Sequence, residues 1–195
     1  MVRGISQVEL CIITVMIKLN AKQLRTQEPD SEVMRSIKKN PIIIIVDDVL
    51  DTYNVGSIFR LADAVAAEKV ILCGQTLTPP NSRIKKASIN TWQWVDWEYA
   101  ESAVDAIKKL KGANPTLSVV AVEQDSRSKP FYHTSYTFPV AIIVGNETVG
   151  VRREVLDMAD RIVELPMWGI NTSLNVMVCS GIVLYEIMKQ APTSV

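Results

Sequence analysis

Residues 42–46 read IIIIV, and this stretch decides the fold class. An unbroken run of β-branched residues is typical of a strand that is buried on both faces of a parallel sheet. Further apolar runs lie at 70–72, 117–122 and 140–144, and segments of helical pattern lie at 55–67, 81–88, 99–110, 151–158 and 174–189. Strands that alternate with helices predict one α/β domain, with a mostly parallel sheet and helices on both of its faces.

The composition predicts one globular domain without a global charge. The chain has 195 residues, of which 48% are hydrophobic, enough for one sizeable core. Lys plus Arg number 21 and Asp plus Glu number 21, so any contact with nucleic acid must come from local patches. The cysteines are Cys11, Cys73 and Cys179, an odd number without CxxC spacing. This pattern argues against a disulfide framework or a zinc site and favours a reducing, cytoplasmic setting.

The N-terminal region differs from the rest of the chain. The apolar stretch 8–17 has ten residues, whereas a membrane helix needs about 20. No small-residue cleavage site follows it, so we expect a buried element, or translated sequence upstream of a start at Met16, rather than a membrane anchor. Residues 18–40 are polar and end at Asn40-Pro41. We therefore predict an extension over 1–41 and the main domain over 42–195.

Polar loops follow three of the apolar runs, where parallel α/β sheets place their ligands. They contain NVGSIFR at 54–60, GNETVGV at 145–151 and LPMWGINTSLNV at 165–176. On spacing alone, Asn54 is predicted to cap the helix that follows it, and Ser173 or Asn171 to cap the last helix, with Asn175 in its first turn. Each loop alone fits ordinary caps and solvated side chains better than a catalytic site.

Taken together and in this order, the three segments resemble motifs one, two and three of the SpoU (TrmH-like) branch of the SPOUT methyltransferases, over about 42–190. The resemblance implies S-adenosylmethionine-dependent methylation of a ribose 2'-hydroxyl in RNA. It also implies a C-terminal deep trefoil knot, the SPOUT fold, which is an exception to the rule that chains do not knot. A homodimer that packs through the C-terminal helix follows from the same comparison. By fold analogy, transfer RNA is favoured over ribosomal RNA because no large recognition domain is present.

The resemblance also assigns roles to residues of this chain. The catalytic set comprises Arg60, Asn54, Glu147, Ser173 and Asn175. The cofactor contacts comprise Gly145, Leu165 and Leu174, with Ser173, Val122 and Glu123 as weaker candidates. Arg60, Arg83, Lys85 and Lys86 are the candidate RNA contacts, with 18–39, 127–129 and 152–153 as further basic patches. No metal is required. Because arginine stays protonated, we expect Arg60 to orient the ribose and a phosphate rather than to abstract the proton.

Some residues depart from the family pattern or stand outside it. Residues 65–69 read VAAEK where the family has Phe-Gly, so the geometry of that helix end is open. Trp92, Trp94 and Trp97 alternate, and we expect packing rather than base stacking. The single histidine, His133, is predicted to be a surface or loop residue, because it lacks the partners that a catalytic site needs.

Two other functions remain open at this stage. The first is an RNA-binding or ribosome-assembly protein on the same fold that has lost transfer activity. The second is a metal-dependent phosphoryl-transfer enzyme that uses Asp47, Asp48 and Asp51, since carboxylates after a first strand hold magnesium in some α/β enzymes. The second alternative leaves the other two loops unexplained.

Overall fold

The computed structural model describes residues 18–191, so the predictions for 8–17 and for Met16 lie outside the described residues. The described chain contains one parallel sheet of seven strands in the order β3-β2-β1-β6-β4-β7-β5. The strands are β1 Asn40–Asp47, β2 Ala67–Cys73, β3 Trp97–Ala100, β4 Ser118–Val122, β5 Lys129–Pro130, β6 Val140–Val144 and β7 Arg161–Glu164. The predicted α/β class is confirmed.

The run that decides the fold class forms the centre of this sheet. Strand β1 pairs with β2 on one side and with β6 on the other, in parallel on both. Ile42 and Ile44 face one hydrophobic cluster, whereas Ile43 and Ile45 face a second cluster on the opposite side of the sheet. Because side chains alternate along a strand, a strand that is covered on both faces needs an apolar residue at every position.

Helices supply the cover on both faces. They are α1 Ala21–Thr26, α2 Ser31–Ser36, α3 Thr52–Ala64, α4 Ser82–Ser88, α5 Ala103–Ala113, α6 Arg153–Leu156 and α7 Val176–Gln190, with 3-10 turns at Thr91–Gln93 and Phe131–His133. Side chains of α3 and α7 enter the first cluster, and those of α5 and α6 enter the second. None of the helices between 18 and 191 is long and apolar enough to cross a membrane.

Several predicted helix bounds were wrong, because tertiary pairing overrides the local pattern. The helix predicted over 55–67 ends at Ala64, since Ala67 already pairs in β2 with Asn40. The helix predicted from Tyr99 begins at Ala103, because Tyr99 pairs with Leu72 in β3. The segment 151–158 is helical only over Arg153–Leu156, and 174–189 is helical over Val176–Gln190.

The end of α3 keeps a tight turn without the family's glycine. Ala66 adopts a left-handed backbone, with φ of 46°. Asn40 donates its backbone N–H to the Ala66 carbonyl at 2.8 Å and its side-chain amide to the Val65 carbonyl at 2.8 Å. These two hydrogen bonds stabilise the turn, although the left-handed conformation costs an L-residue about 1–2 kcal/mol.

The tryptophans and the polar N-terminal segment both pack on the domain. Trp94 is buried, and Trp92 and Trp97 pack against the first cluster, so the packing role predicted for them is confirmed. The segment with α1 and α2 contacts the turn after α4. There Asn90 donates to the Arg25 carbonyl at 3.4 Å. In the same turn, Gln93 donates to the Glu28 carboxylate at 3.3 Å.

Candidate active site

A cavity of about 490 Å³ lies at the carboxyl ends of β4, β6 and β7, next to the start of α7. This is where ligands bind in open parallel sheets, and the volume suits a small cofactor. Eight of the predicted residues line it: Val122, Glu123, Gly145, Glu147, Leu165, Ser173, Leu174 and Asn175. The tertiary fold therefore brings motifs two and three together around one space.

Glu147 joins motif two to the loop before motif one. One carboxylate oxygen accepts the backbone N–H of Leu50 at 3.1 Å. The other accepts the backbone N–H of Asp51 at 3.1 Å and the side-chain amide of Asn54 at 2.9 Å. Both oxygens are thus engaged, so Glu147 acts as a clamp between loops rather than as a free base.

The charge state of Glu147 follows from these contacts. Partial burial acts to raise the pKa of the Glu147 carboxyl, but the hydrogen bonds from Asn54 and from the Leu50 and Asp51 N–H groups outweigh it. The pKa therefore lies below its usual value, because these donors stabilise the ionised form. The clamp is an anion throughout the neutral range.

Motif three joins the same network through Asn54. Asn175 donates its side-chain amide to the Asn54 side-chain oxygen at 3.0 Å, and its own oxygen caps α7 by accepting the Met177 N–H at 2.9 Å. The predicted cap assignments were therefore wrong. Asp51 caps α3, which leaves the buried Asn54 free to link Glu147 with Asn175.

The glycines of motif two permit a tight loop. A Cβ added to Gly145 would lie 2.5 Å from the Gly150 carbonyl oxygen, and Gly150 has φ of 70°. Glu123 braces this loop, since its carboxylate accepts the Val151 N–H at 2.7 Å and the Gln124 N–H at 2.8 Å. Glu123 therefore shapes the cavity wall as well as lining it.

The cavity is acidic. Among the described residues, its lining contains the carboxylates of Glu123, Glu147 and Glu164 and no Lys, Arg or His. Glu123 and Glu147 bond to backbone N–H groups, whereas the Glu164 carboxylate bonds to no described side chain or backbone group. Sequence reasoning missed Glu164, although its place at the end of β7, just before Leu165, was a usable signal.

The aspartates after β1 are committed to structural contacts. Buried Asp47 accepts a bond from Arg152 at 2.9 Å, and burial raises the pKa of its carboxyl although Arg152 opposes the shift. Asp48 accepts the Gln75 N–H at 2.7 Å, and Asp51 caps α3. Over 18–191 no group of three or more His, Cys, Asp or Glu side chains is arranged to hold a metal. The three aspartates of the phosphoryl-transfer alternative thus each have a structural partner.

Comparison with known proteins identifies the family. A sequence profile described as the SpoU rRNA Methylase family matches residues 41–185. The chain belongs to this family. The resemblance drawn from the three motifs is confirmed.

Relatives in the SpoU family include enzymes for two kinds of RNA. The chain is 32% identical over 165 residues to the tRNA (guanosine(18)-2'-O)-methyltransferase of Aquifex aeolicus, covering 82% of this chain and 74% of that protein. It is 29% identical over 170 residues to a 23S rRNA (guanosine-2'-O-)-methyltransferase of Haemophilus influenzae, covering 87% of this chain and 68% of that protein.

Solved structures of the SpoU family have the same fold. The A. aeolicus TrmH/SpoU tRNA modifying enzyme superposes with a TM-score of 0.71 at 29% identity, over 87% of this chain and 81% of that one. An AdoMet-bound rRNA methyltransferase from Sinorhizobium meliloti gives a TM-score of 0.73 at 27% identity, over 87% of this chain and 61% of that one.

The motif-one arginine of this SpoU chain stands apart from the cavity. Arg60 is exposed, six residues after Asn54 on α3, which corresponds to about 9 Å along the helix. It does not line the cavity, and it forms no ion pair or side-chain hydrogen bond within 18–191. Arg83, Lys85 and Lys86 are likewise exposed, on α4, which packs against α3. His133 is exposed in a 3-10 turn, as predicted.

Proposed function

We propose that this protein transfers a methyl group from S-adenosylmethionine to a ribose 2'-hydroxyl of RNA. The observation that carries the proposal is the network Glu147–Asn54–Asn175, which links motif one to the two motifs that line one acidic cavity. The curated relatives act on tRNA or on 23S rRNA guanosines. We propose tRNA as the substrate and the cytoplasm as the location. The non-catalytic alternative is not favoured, because the cavity and the motif residues are intact.

The cavity fits a cationic cofactor. When bound, S-adenosylmethionine supplies an electrophilic methyl group on a positively charged sulfonium. A lining with three carboxylates and no described cation favours such a charge, since nearby opposite charges stabilise each other in a partly desolvated site. Gly145, Leu165 and Leu174 would hold the cofactor through backbone groups, with Ser173 and Val122 beside them. Glu164 has free oxygens for an ammonium or hydroxyl group.

For the RNA, the reaction depends more on holding the ribose and its phosphate in position than on a strong base. The planar guanidinium of Arg60 suits bidentate contact with a phosphate of the RNA, while the phosphate itself accepts the hydroxyl proton. Arg60 has no competing partner within 18–191 that would withdraw it from this task. Asn54, Glu147 and Asn175 hold the loops in place around it.

We also propose a homodimer that packs on α7. Val178, Ile182 and Tyr185 expose 38%, 38% and 58% of their surface and lie on one face of the helix, at spacings of four and three residues. Trp168 and Ile170, in the motif-three loop, are even more exposed. An apolar surface of this kind marks an interface. The exposed Arg60 would then act next to the cavity at the junction of the two subunits.

Two finer features belong to the same proposal. The C-terminal segment is proposed to form the deep trefoil knot, in agreement with the contact between the Gln124 side chain and the Thr172 carbonyl, which ties the end of β4 to the motif-three loop. The extension up to residue 41 is proposed to contact RNA together with the α4 cations, because its helices dock on the turn that follows α4.

The test of the activity combines calorimetry with S-adenosylmethionine and mass spectrometry of nucleosides from unmodified tRNA and rRNA transcripts. We expect cofactor binding and 2'-O-methylated product on tRNA. Arg60→Ala should abolish transfer and leave cofactor affinity unchanged, whereas the exposed Lys108→Ala control on α5 should behave like wild type. Wild-type protein that binds no cofactor and methylates neither RNA would overturn the proposal. An active Arg60→Ala variant would overturn the role of Arg60.

The test of the dimer is sedimentation of Tyr185→Glu, because a charge on the α7 face should yield monomers with lost transfer activity. A fully active monomer would contradict the dimer.

A further inference from the structure

A second concave region, separate from the cofactor cavity, lies at the outer edge of the sheet. It has a volume of about 580 Å³ and is formed where β5 pairs with β7, with residues from the turn after β5 and from the end of α6. None of the residues that line this groove lines the cofactor cavity. The proposed methyl transfer makes no use of it.

The groove carries two cations and one imidazole that pair with no side chain within 18–191. Lys129, His133 and Arg161 line it, are exposed, and form no ion pair or side-chain hydrogen bond with any residue of the described range. The one described carboxylate in the lining, Asp160, is already bonded to other groups. One of its oxygens accepts a hydrogen bond from the Lys111 ammonium at 2.9 Å, and the other accepts one from the Val119 N–H at 2.8 Å.

A third cation, Arg127, also lines the groove. Arg127 bonds to Asp125 at 2.7 Å and to Asp157 at 2.8 Å, so its charge is already matched by carboxylates. The unpaired positive charge of the groove therefore comes from Lys129 and Arg161. The imidazole of His133 and the side chains of Thr134 and Ser135 are the neighbouring polar groups. A site with free cations and no free carboxylate selects an anion.

The surface chemistry identifies the kind of anion. Leu156 and Ile162 line the groove but are buried. Within 18–191 no large exposed hydrophobic side chain lines the groove, unlike the α7 face. Such a surface does not suit a second protein chain, whereas a nucleic-acid backbone needs only cations and polar groups. Tyr132, which packs edge-on against His133 at 4.5 Å, adds an exposed aromatic ring beside the groove. Aromatic rings beside cations are typical of single-stranded RNA contacts.

The groove also lies within reach of a substrate in the cavity. Arg161 begins β7, and β7 leads directly to Leu165 in the cavity wall. Four strand residues correspond to about 13 Å. We propose that the groove of Lys129, His133 and Arg161 binds the phosphate backbone of the substrate RNA beyond the methylated nucleotide. The inference rests on the proposed RNA substrate and adds a second contact to it.

The test measures RNA affinity against salt concentration for Lys129→Gln/Arg161→Gln, with a fluorescent unmodified tRNA transcript as the probe. The slope of log K against log salt is negative, and each lost phosphate contact reduces its magnitude by about 0.7–0.9. We therefore expect the magnitude of the slope to fall by about 1.4–1.8, with cofactor affinity unchanged in calorimetry. The matched control, Lys108→Gln/Lys109→Gln on exposed α5, should keep the wild-type slope. Lys129→Arg/Arg161→Lys, which keeps both charges, should keep it as well.

The possible failures are distinguishable. A wild-type protein that binds tRNA and cofactor, together with a groove variant of unchanged slope, would overturn the groove inference alone and leave the proposed function intact. A slope that falls equally in the α5 control would also overturn it, because the effect would then be one of net charge. A wild-type protein that binds neither tRNA nor cofactor would overturn the proposed function and the groove inference with it.

Discussion

Replacing Glu147 by Gln tests whether one carboxylate holds motifs one and two together. The carboxylate accepts the Leu50 and Asp51 N–H groups and the Asn54 amide at 2.9–3.1 Å. Glutamine keeps one acceptor oxygen and turns an NH₂ group toward the remaining donor, so at least one bond is lost and the others lose their charge. Hydrogen bonds to charged groups contribute about 1.5–3 kcal/mol when buried. Because Glu147 is largely exposed, we expect a loss of about 1–2 kcal/mol.

The pH dependence separates this clamp from a general loss of packing. The folded-state pKa of Glu147 is lowered, so its stabilising contribution is present above the unfolded-state pKa of about 4.3 and is lost as the pH falls through the folded value. Urea unfolding of wild type and Glu147→Gln, at equal protein concentration, should give a difference in stability at pH 7 that shrinks as the pH falls below the unfolded-state pKa. The control is Glu68→Gln, an exposed carboxylate on β2. Equal stability at pH 7, or a gap that does not change with pH, would refute the clamp.

Three further predictions concern the backbone and the buried ion pair. Ala66→Gly should raise the unfolding free energy by about 0.5–1 kcal/mol, since glycine relieves the left-handed φ of 46° at a smaller entropic cost; a lower urea midpoint would contradict this. Gly56→Ala should cost about 1–3 kcal/mol, because its Cβ would lie 2.6 Å from a side chain of α4. Gly112→Ala should stabilise by about 0.5 kcal/mol, because its Cβ would meet no described atom within 4 Å beyond the adjacent residues and the backbone of its own helix. Equal effects at the two glycines would contradict the packing argument. Arg152→Met should cost about 2 kcal/mol at pH 8 by leaving Asp47 buried without its partner. Because the pKa of Asp47 is already raised and would rise further, this loss should be smaller at pH 5, and a loss independent of pH would contradict it.

The fold class and the location of the site were predictable from local patterns. The run 42–46 predicted a strand covered on both faces, and it forms the centre of the sheet. The polar loops after the apolar runs predicted where the cavity lies, because all strands of a parallel sheet end at the same edge. Motif order then identified the family, which the profile match over 41–185 confirms.

Helix ends and caps were less predictable. Local rules made Asn54 a cap, since Asn is favoured there. The structure gives that role to Asp51 and turns Asn54 toward Glu147. Asn175, predicted to lie in the first turn of the last helix, caps α7 instead. Propensity ranks several residues almost equally at a helix start, and only contacts from outside the helix select among them.

The sequence by itself determined the α/β class, the order of the three motifs and the family, because these depend on the pattern of apolar residues and on the spacing of the motifs, both of which are local to the chain. Only the tertiary structure decided that Glu147 is a clamp, that Asp47 belongs to Arg152, and that Glu164 faces the cavity. These contacts join residues far apart in sequence, 93 positions for Asn54 with Glu147 and 105 for Asp47 with Arg152. A hydrogen bond depends on ångström-scale positions of both partners, and no local pattern contains the position of the second one.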